Sequence, residues 1–413
     1  MERRGFLAAL GAGTLAALAY RFWPDEGFIN PCLDGPLPSE LAEHPLVRSA
    51  WDGIDFERFW DAHVHLVGVG DGGHGVWFNP AMDSLWSPVQ YLRKQFYLNA
   101  SCADGKANID ARYVQRLAAL HGDLPAGARL MLLAFDYYCD ERGQPVPELS
   151  TYYAPNNYAR DVAQRHPDSF EWIASIHPYR PDAVEQLEWA AAHGARAVKW
   201  LPPAMGMDPA SARCDRFYDA LVKWKLPLLL HTGEELAVHA KENQALGNPL
   251  RLRRPLDRGV RVLAAHCASL GSDVDLDRGE HASPRPSFDL FARLMGEPRY
   301  EGLLFGEISA MTQVNRLGRP LREILTRTEW HDRLINGSDY PLPAVMPIFS
   351  LKRLVTLGYL KPDETRILSN VRRYNPLLFD FLLKRLLAFN GSRLPARVFH
   401  SRRLFERFGS PAA

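Results

Sequence analysis

His63 and His65 stand one residue apart in Phe59-Trp60-Asp61-Ala62-His63-Val64-His65-Leu66. On a β-strand, where side chains alternate, both imidazoles leave the same face and can reach one ion; on an α-helix they would point about 200° apart. The aromatic and β-branched flanks favour the strand. Further residues with metal or proton chemistry each follow a short apolar run. Lys199 lies in Ala197-Val198-Lys199-Trp200, His231 follows Leu228-Leu229-Leu230, His266 follows Val262-Leu263-Ala264-Ala265, and Asp339 lies in Gly337-Ser338-Asp339-Tyr340-Pro341. Three imidazoles (His63, His65, His231) and the Asp339 carboxylate make a borderline-soft donor set suited to Zn²⁺, with Fe²⁺, Mn²⁺ or Co²⁺ fitting as well. Taken singly, each residue has a plain structural alternative: a histidine after an apolar strand is usually a hydrogen-bonded core residue, and an aspartate before Tyr-Pro a turn residue. Their recurrence at equivalent strand ends is what argues for a site.

The elements that must position them are eight short apolar runs ending in polar residues: Phe59–Leu66, Arg129–Tyr138, Phe170–Pro178, Ala195–Pro203, Leu226–Gly233, Arg261–Ser269, Leu303–Met311 and Arg333–Pro341. Several are apolar throughout, as expected of strands covered on both faces. Amphipathic stretches alternate with them: Asp182–His193 (ending at Gly194, a natural helix stop), Ser211–Lys225, Ser287–Met295 and Gly318–Trp330. Eight strand–helix units predict an α/β protein built as a (β/α)₈ barrel, with chemistry at the C-terminal strand ends. An open doubly wound sheet is the runner-up, but it would need a Gly-rich phosphate turn leading straight into a helix. Two insertions, Gly68–Ser87 (with Trp77, Phe78 and Trp86) and Glu234–Gly247, would sit over the barrel mouth. Asp273, Asp275 and Asp277 superficially resemble a calcium loop, but Arg278 stands where glycine is required, so a solvated turn is expected.

Four segments follow: an export signal or anchor at 1–21, a Pro/Gly-rich tether at 22–58, the barrel at 59–380, and a basic helical extension at 381–413 expected to dock on the barrel. Arg3-Arg4-Gly5-Phe6-Leu7 with the uncharged run behind it resembles a twin-arginine signal, which implies an exported, periplasmic protein, or one anchored in the inner membrane if the segment stays uncleaved. That run is short for a membrane span. Lys plus Arg (49) balances Asp plus Glu (48), with no basic face or motif, so no nucleic-acid partner is expected. The partner expected is a small-molecule substrate; assembly into a homo-oligomer is left open. The five cysteines have no Cys-x-x-Cys spacing; an oxidising compartment would allow one or two disulfides, and one cysteine stays unpaired within the chain.

The motifs Asp61-Ala62-His63-Val64-His65, Val198-Lys199-Trp200-Leu201-Pro202, His231-Thr232-Gly233, Ala265-His266 and Gly337-Ser338-Asp339-Tyr340-Pro341 resemble, in order, those of the amidohydrolase superfamily, specifically its amidohydrolase-2 (decarboxylase-like) branch. Ile367-Leu368-Ser369-Asn370 is similar to that branch's closing helix. The resemblance implies that His63, His65, His231 and Asp339 hold one or two divalent ions, with Asp339 the proton-transferring base. His266 is implied as a second-metal ligand or a polariser of the scissile group, and Lys199 as a bridging ligand only if carboxylated. Glu307 departs from the pattern, since no ligand is expected on the seventh strand; it is a candidate to contact substrate, to bind a second ion or to pair with Lys199, with structural pairing as the default. Trp77 and Arg180 are further substrate-binding candidates, and Arg93 and Lys94 are weighed as carboxylate binders. The implied function is metal-dependent hydrolysis of a C–N or C–O bond in an amide, lactone or ester. The alternatives are non-oxidative decarboxylation of a small aromatic or unsaturated acid, and a non-catalytic exported metal-binding protein.

Overall fold

The structure, a computed structural model, describes residues 24–103, 105, 107–238 and 240–406, so the expected export signal lies outside the described residues. In chain order the strands are β1 (Trp60–His65), β2 (Trp77–Phe78), β3 (Arg129–Leu133), β4 (Tyr152–Tyr153), β5 (Phe170–Ile173), β6 (Val198–Trp200), β7 (Leu228–His231), β8 (Val262–Ala265), β9 (Ser272–Val274), β10 (Pro284–Pro286), β11 (Leu304–Glu307) and β12 (Leu334–Ile335). The eight expected runs supply two all-parallel sheets, β1-β3-β5 and β12-β11-β8-β7-β6. Parallel bridges join them on both sides, Ala174 to Val198 and Val64 to Tyr340. The fold is a (β/α)₈ barrel. Asp61 staples its first and last strands: its buried Oδ1 accepts the His63 N–H (3.1 Å) and the Ser338 N–H (2.8 Å).

Period-2 alternation sorts each strand between two cores. In β7, Leu228 and Leu230 face the helices while Leu229 packs inside the ring with Met131, Ile173, Leu263 and Ile335. Helices close over the outer faces where amphipathic patterning predicts them, among them Ala183–Ala192, Asp215–Trp224, Ser287–Met295 and Arg319–Thr326. Gly194 ends the first of these at φ +88, a left-handed stop that costs glycine little. The Ile367–Asn370 stretch lies in the helix Thr365–Tyr374.

The flanking segments are docked. Residues 24–58 contain a short helix (Pro45–Ala50) and are fastened by a Cys32–Cys102 disulfide and by Glu26, 2.5 Å from the buried Arg372. The remaining cysteines, Cys139, Cys214 and Cys267, are free and buried. Past the helix Pro376–Leu386 the chain runs under the barrel, where Leu404 and Phe405 enter the inner core and Phe405 stacks on Trp60 at 6.5 Å. The aspartate turn is not simply solvated: Asp275 is buried, with both carboxylate oxygens 2.7 Å from the Arg293 guanidinium. No helix among the described residues is long and apolar enough to cross a membrane.

Candidate active site

At the C-terminal strand ends, ligand atoms of His63, His65 and Asp339 fall within 4.8 Å of one another. Asp339 Oδ1 is 3.0 Å from His65 Nε2 and 3.3 Å from His63 Nε2, and its Oδ2 is 3.8 Å from His266 Nε2. The His266 ring centroid lies 5.3 Å from that of His63 and 5.2 Å from that of His231, and Lys199 Nζ is 3.4 Å from His63 Nε2. Residues scattered over the length of the chain thus share one small volume. In β1 the register slips between Asp61 and Val64, a local irregularity that lets Ala62 join the inner core while the next residue, His63, faces the cavity. Backbone strain gathers here too. His266, Cys267 and Ala268 hold consecutive positive φ values (57, 49 and 50), and Asp339 has φ +60. Left-handed residues other than glycine are costly and cluster at functional sites.

The hydrogen bonds behind the rings settle their tautomers. Glu307, on β11, accepts from His63 Nδ1 at 3.0 Å and from Ser309, by its backbone N–H (2.6 Å) and its hydroxyl (2.7 Å). His266 Nδ1 lies 3.2 Å from the Ser309 carbonyl, an acceptor only, so this nitrogen carries the proton. His231 Nδ1 sits 3.3 Å from Glu235 Oε2. In each ring the proton is held on Nδ1, leaving the Nε2 lone pair toward the cavity. His231 Nε2 is buried with no partner. Burial holds His63 and His266 well below the usual histidine range and takes His231 to about 4, so these rings are neutral at pH 7. Burial also lowers Lys199 to about 8. Burial opposes ionisation of Asp339, but His63, His65 and Lys199 around it keep its carboxyl below the ordinary range. Unprotonated imidazole edges around a carboxylate, with one of them orphaned, are the donor set a divalent transition-metal ion requires.

A family model described as amidohydrolase matches residues 60–363, most of the chain. The chain belongs to the amidohydrolase family. Among curated proteins no relative matches it. Solved structures similar to this amidohydrolase include an uncharacterised TIM-barrel protein from Bordetella bronchiseptica (16% identity, 75% of this chain and 94% of that one, TM-score 0.45). Another is a probable 2-pyrone-4,6-dicarboxylic acid hydrolase from Acinetobacter baumannii with citric acid bound (13%, 77% and 96%, TM-score 0.40). A third is a 5-carboxyvanillate decarboxylase from Novosphingobium aromaticivorans, complexed with manganese and a nitrobenzoic acid (12%, 78% and 95%, TM-score 0.43).

Other predicted residues of the amidohydrolase take different places. Glu307 pairs with His63 and Ser309 rather than with Lys199, and is fully buried behind the rings. Trp77 packs 5.8 Å from the Tyr137 ring, and its neighbour Phe78 forms the cavity wall instead. Arg180 is occupied by Asp182 (3.0 Å) and Asp136 (3.6 Å), and Lys94 by Asp83 (2.7 Å). Both insertions reach the mouth, through Phe78 and Met82 from the first and Glu235–Val238 from the second. Sequence reading passed over Ser309, Glu235, Gln313 and Arg316. Only Glu235 left a local signal, four residues beyond His231. His177 shows the plain alternative realised: though it follows a barrel strand, it is buried with Nε2 3.0 Å from the Met205 carbonyl, away from the cavity.

Proposed function

We propose that this amidohydrolase is a metal-dependent hydrolase that cleaves a C–N or C–O bond of a small amide, lactone or ester. The observation that carries it is the pair of Nδ1-protonated rings, His63 and His266, with Nε2 3.3 and 3.8 Å from Asp339, beside a buried His231 Nε2 that has no partner. His63, His65, His231 and Asp339 would hold the ion, with His266 and, if carboxylated, Lys199 available to a second. The ion, Zn²⁺ by this donor set, supplies Lewis acidity and lowers the pKa of water toward 7. Asp339 does the proton work. Anionic at neutral pH, it accepts the proton of the attacking water on one oxygen and returns it to the departing nitrogen or oxygen. Glu307 and Ser309 keep the His63 and His266 rings in the tautomer this arrangement needs. Phe78, Phe135 and Tyr152 give the cavity an aromatic wall, which favours decarboxylation of a small aromatic or unsaturated acid as the second reading.

Purified protein is expected to carry about one or two divalent transition-metal ions per chain, with His231→Ala losing most of them by elemental analysis. Asp339→Asn should fold and lose turnover. Metal content unchanged in His231→Ala, or normal turnover in Asp339→Asn, refutes the reading. Release of CO₂ in place of a hydrolysis product moves the assignment to the second. We further propose export by the twin-arginine route. The Cys32–Cys102 disulfide supports this, because such bonds persist in oxidising compartments. Replacing Arg3 and Arg4 by Lys should retain the protein in the cytosol on cell fractionation; unchanged export refutes the route.

A further inference from the structure

The first insertion and the helix after it carry an apolar surface that the proposed reaction does not use. In the turn before the helix Pro88–Ala100, Leu85 is 75% exposed and Trp86 96%; in the helix itself Val89 is 62% exposed and Leu92 54%. Val89 and Leu92, three residues apart, share one face. The opposite face points inward, with Lys94 and Leu98 buried. The run Leu85–Leu92 contains no charged residue. Apolar side chains gathered on a surface in this way mark an interaction site, where scattered ones would not. The ridge also borders the mouth of the cavity. Met82, just before it in the chain, lines the cavity, as does Tyr97 from the helix, whose hydroxyl donates to the Ala237 carbonyl at 2.6 Å. Beside Ala237, Leu236 is another cavity residue with an exposed side chain.

We propose that this ridge seats the protein on a lipid bilayer, with Leu85, Trp86, Val89 and Leu92 entering the headgroup region and the cavity opening beside it. The course of the chain points to lipid as the occupant. The apolar run from Ala8 to Tyr20 carries no charge, and it ends nine residues before Ile29, at most about 30 Å of extended chain. Ile29 is 72% exposed, and the segment around it is pinned to the end of the ridge helix. The Asn30 N–H donates to Asn99 Oδ1 at 2.8 Å, and Cys32 is bridged to Cys102. A membrane that takes up the leading run therefore lies within reach of the ridge. The shape agrees. A tryptophan ring exposed almost completely at a turn needs a matching socket on a second protein, whereas lipid closes around any protrusion, and indole favours the membrane–water boundary. Burying four apolar side chains without a spanning helix gives the reversible attachment of an interfacial protein. The docking rests on neither the hydrolase reading nor the metal.

The test places an environment-sensitive fluorophore on the ridge of the full chain by way of Trp86→Cys. Cys139, Cys214 and Cys267 are buried and Cys32 and Cys102 are bonded to each other, so the label goes to position 86. Val222→Cys, at an exposed position on the helix Asp215–Trp224, carries the control label. The vesicles are phosphatidylethanolamine with phosphatidylglycerol, with or without a lipid bearing a quencher on its acyl chain. The label at 86 is expected to shift to the blue when vesicles are added and to be quenched by the acyl-chain quencher; the label at 222 should do neither. The leading run can hold both proteins on the vesicle, so the difference between the two positions reports the ridge alone. Leu85→Ser with Val89→Ser and Leu92→Ser, made in the Trp86→Cys protein, should abolish the shift, because the buried apolar area that drives docking is gone. No shift at 86, or equal shifts at 86 and 222, overturns the proposal. So does a full shift in the serine variant. A shift at 86 that grows with protein concentration without vesicles makes the ridge a contact between copies, and overturns the bilayer as its occupant.

Discussion

Replacing Glu307 by Gln tests whether the hydrogen bonds behind the rings, and not the ligand atoms alone, build the metal centre. The carboxylate accepts three bonds: Oε1 from the Ser309 N–H, and Oε2 from His63 Nδ1 and the Ser309 hydroxyl. A glutamine can keep its oxygen on the Ser309 N–H, but its NH₂ then faces two donors. Ser309 can rotate its hydroxyl away; His63 is then left with the longer contact to Ser309 Oγ (3.2 Å) for its Nδ1 proton, or moves that proton to Nε2, the atom 3.3 Å from Asp339 that would ligate the ion. Loss of such an outer hydrogen bond typically weakens metal binding about 10- to 100-fold, or roughly 1.4–2.7 kcal/mol. Stability of the metal-free protein should not fall in parallel, because burial raises the Glu307 pKa and glutamine removes that buried charge. Competition with a chelator of known affinity measures the first quantity and urea denaturation the second. Metal affinity within twofold of wild type would refute the tautomer argument. A loss of metal-free stability equal to the loss of affinity would make Glu307 a packing residue only.

Acid should weaken the fold through His177, which burial takes from an ordinary 6.5 to about 3, with Arg180 and Arg213 nearby adding to the effect. A histidine depressed in the native state contributes stability above pH 6.5 that drains away as pH falls toward 3. At pH 5 the loss is about 2 kcal/mol relative to pH 7.5. His177→Asn should remove that part of the slope in urea melts at the two pH values; identical slopes in wild type and variant would refute it. At Gly337 an added Cβ would stand 2.5 Å from Glu307 Oε1 and 2.7 Å from His63 Cβ. Gly337→Ala should therefore cost about 1–3 kcal/mol and lower metal content together, and a variant with wild-type metal content and melting point would contradict the packing described.

What was legible in the sequence was local. Apolar runs and the polar residue ending each of them are written within a few positions, so the barrel and the side chains at its rim could be read from His63, His65, Lys199, His231, His266 and Asp339. What escaped depends on partners distant in the chain. Glu307 looked like a counterion for Lys199 because both end barrel strands, but which strand-end side chains touch is decided by the closure of the ring, which brings Glu307 to His63. Asp275 read as solvated since nothing near it announces that Arg293, one helix later, folds over it. Arg316 and Gln313 sit in a stretch without periodicity, where composition carries no direction. His177 is the converse, with the same local context as the site histidines and a different neighbourhood.

Leu404 and Phe405 are the floor of the ring whose rim holds His63, His65, His231 and Asp339. They also follow every strand of that ring in the chain. The barrel therefore stays open at its base for as long as the ribosome holds residue 405, and assembly of the pocket has to wait for translation to pass that point.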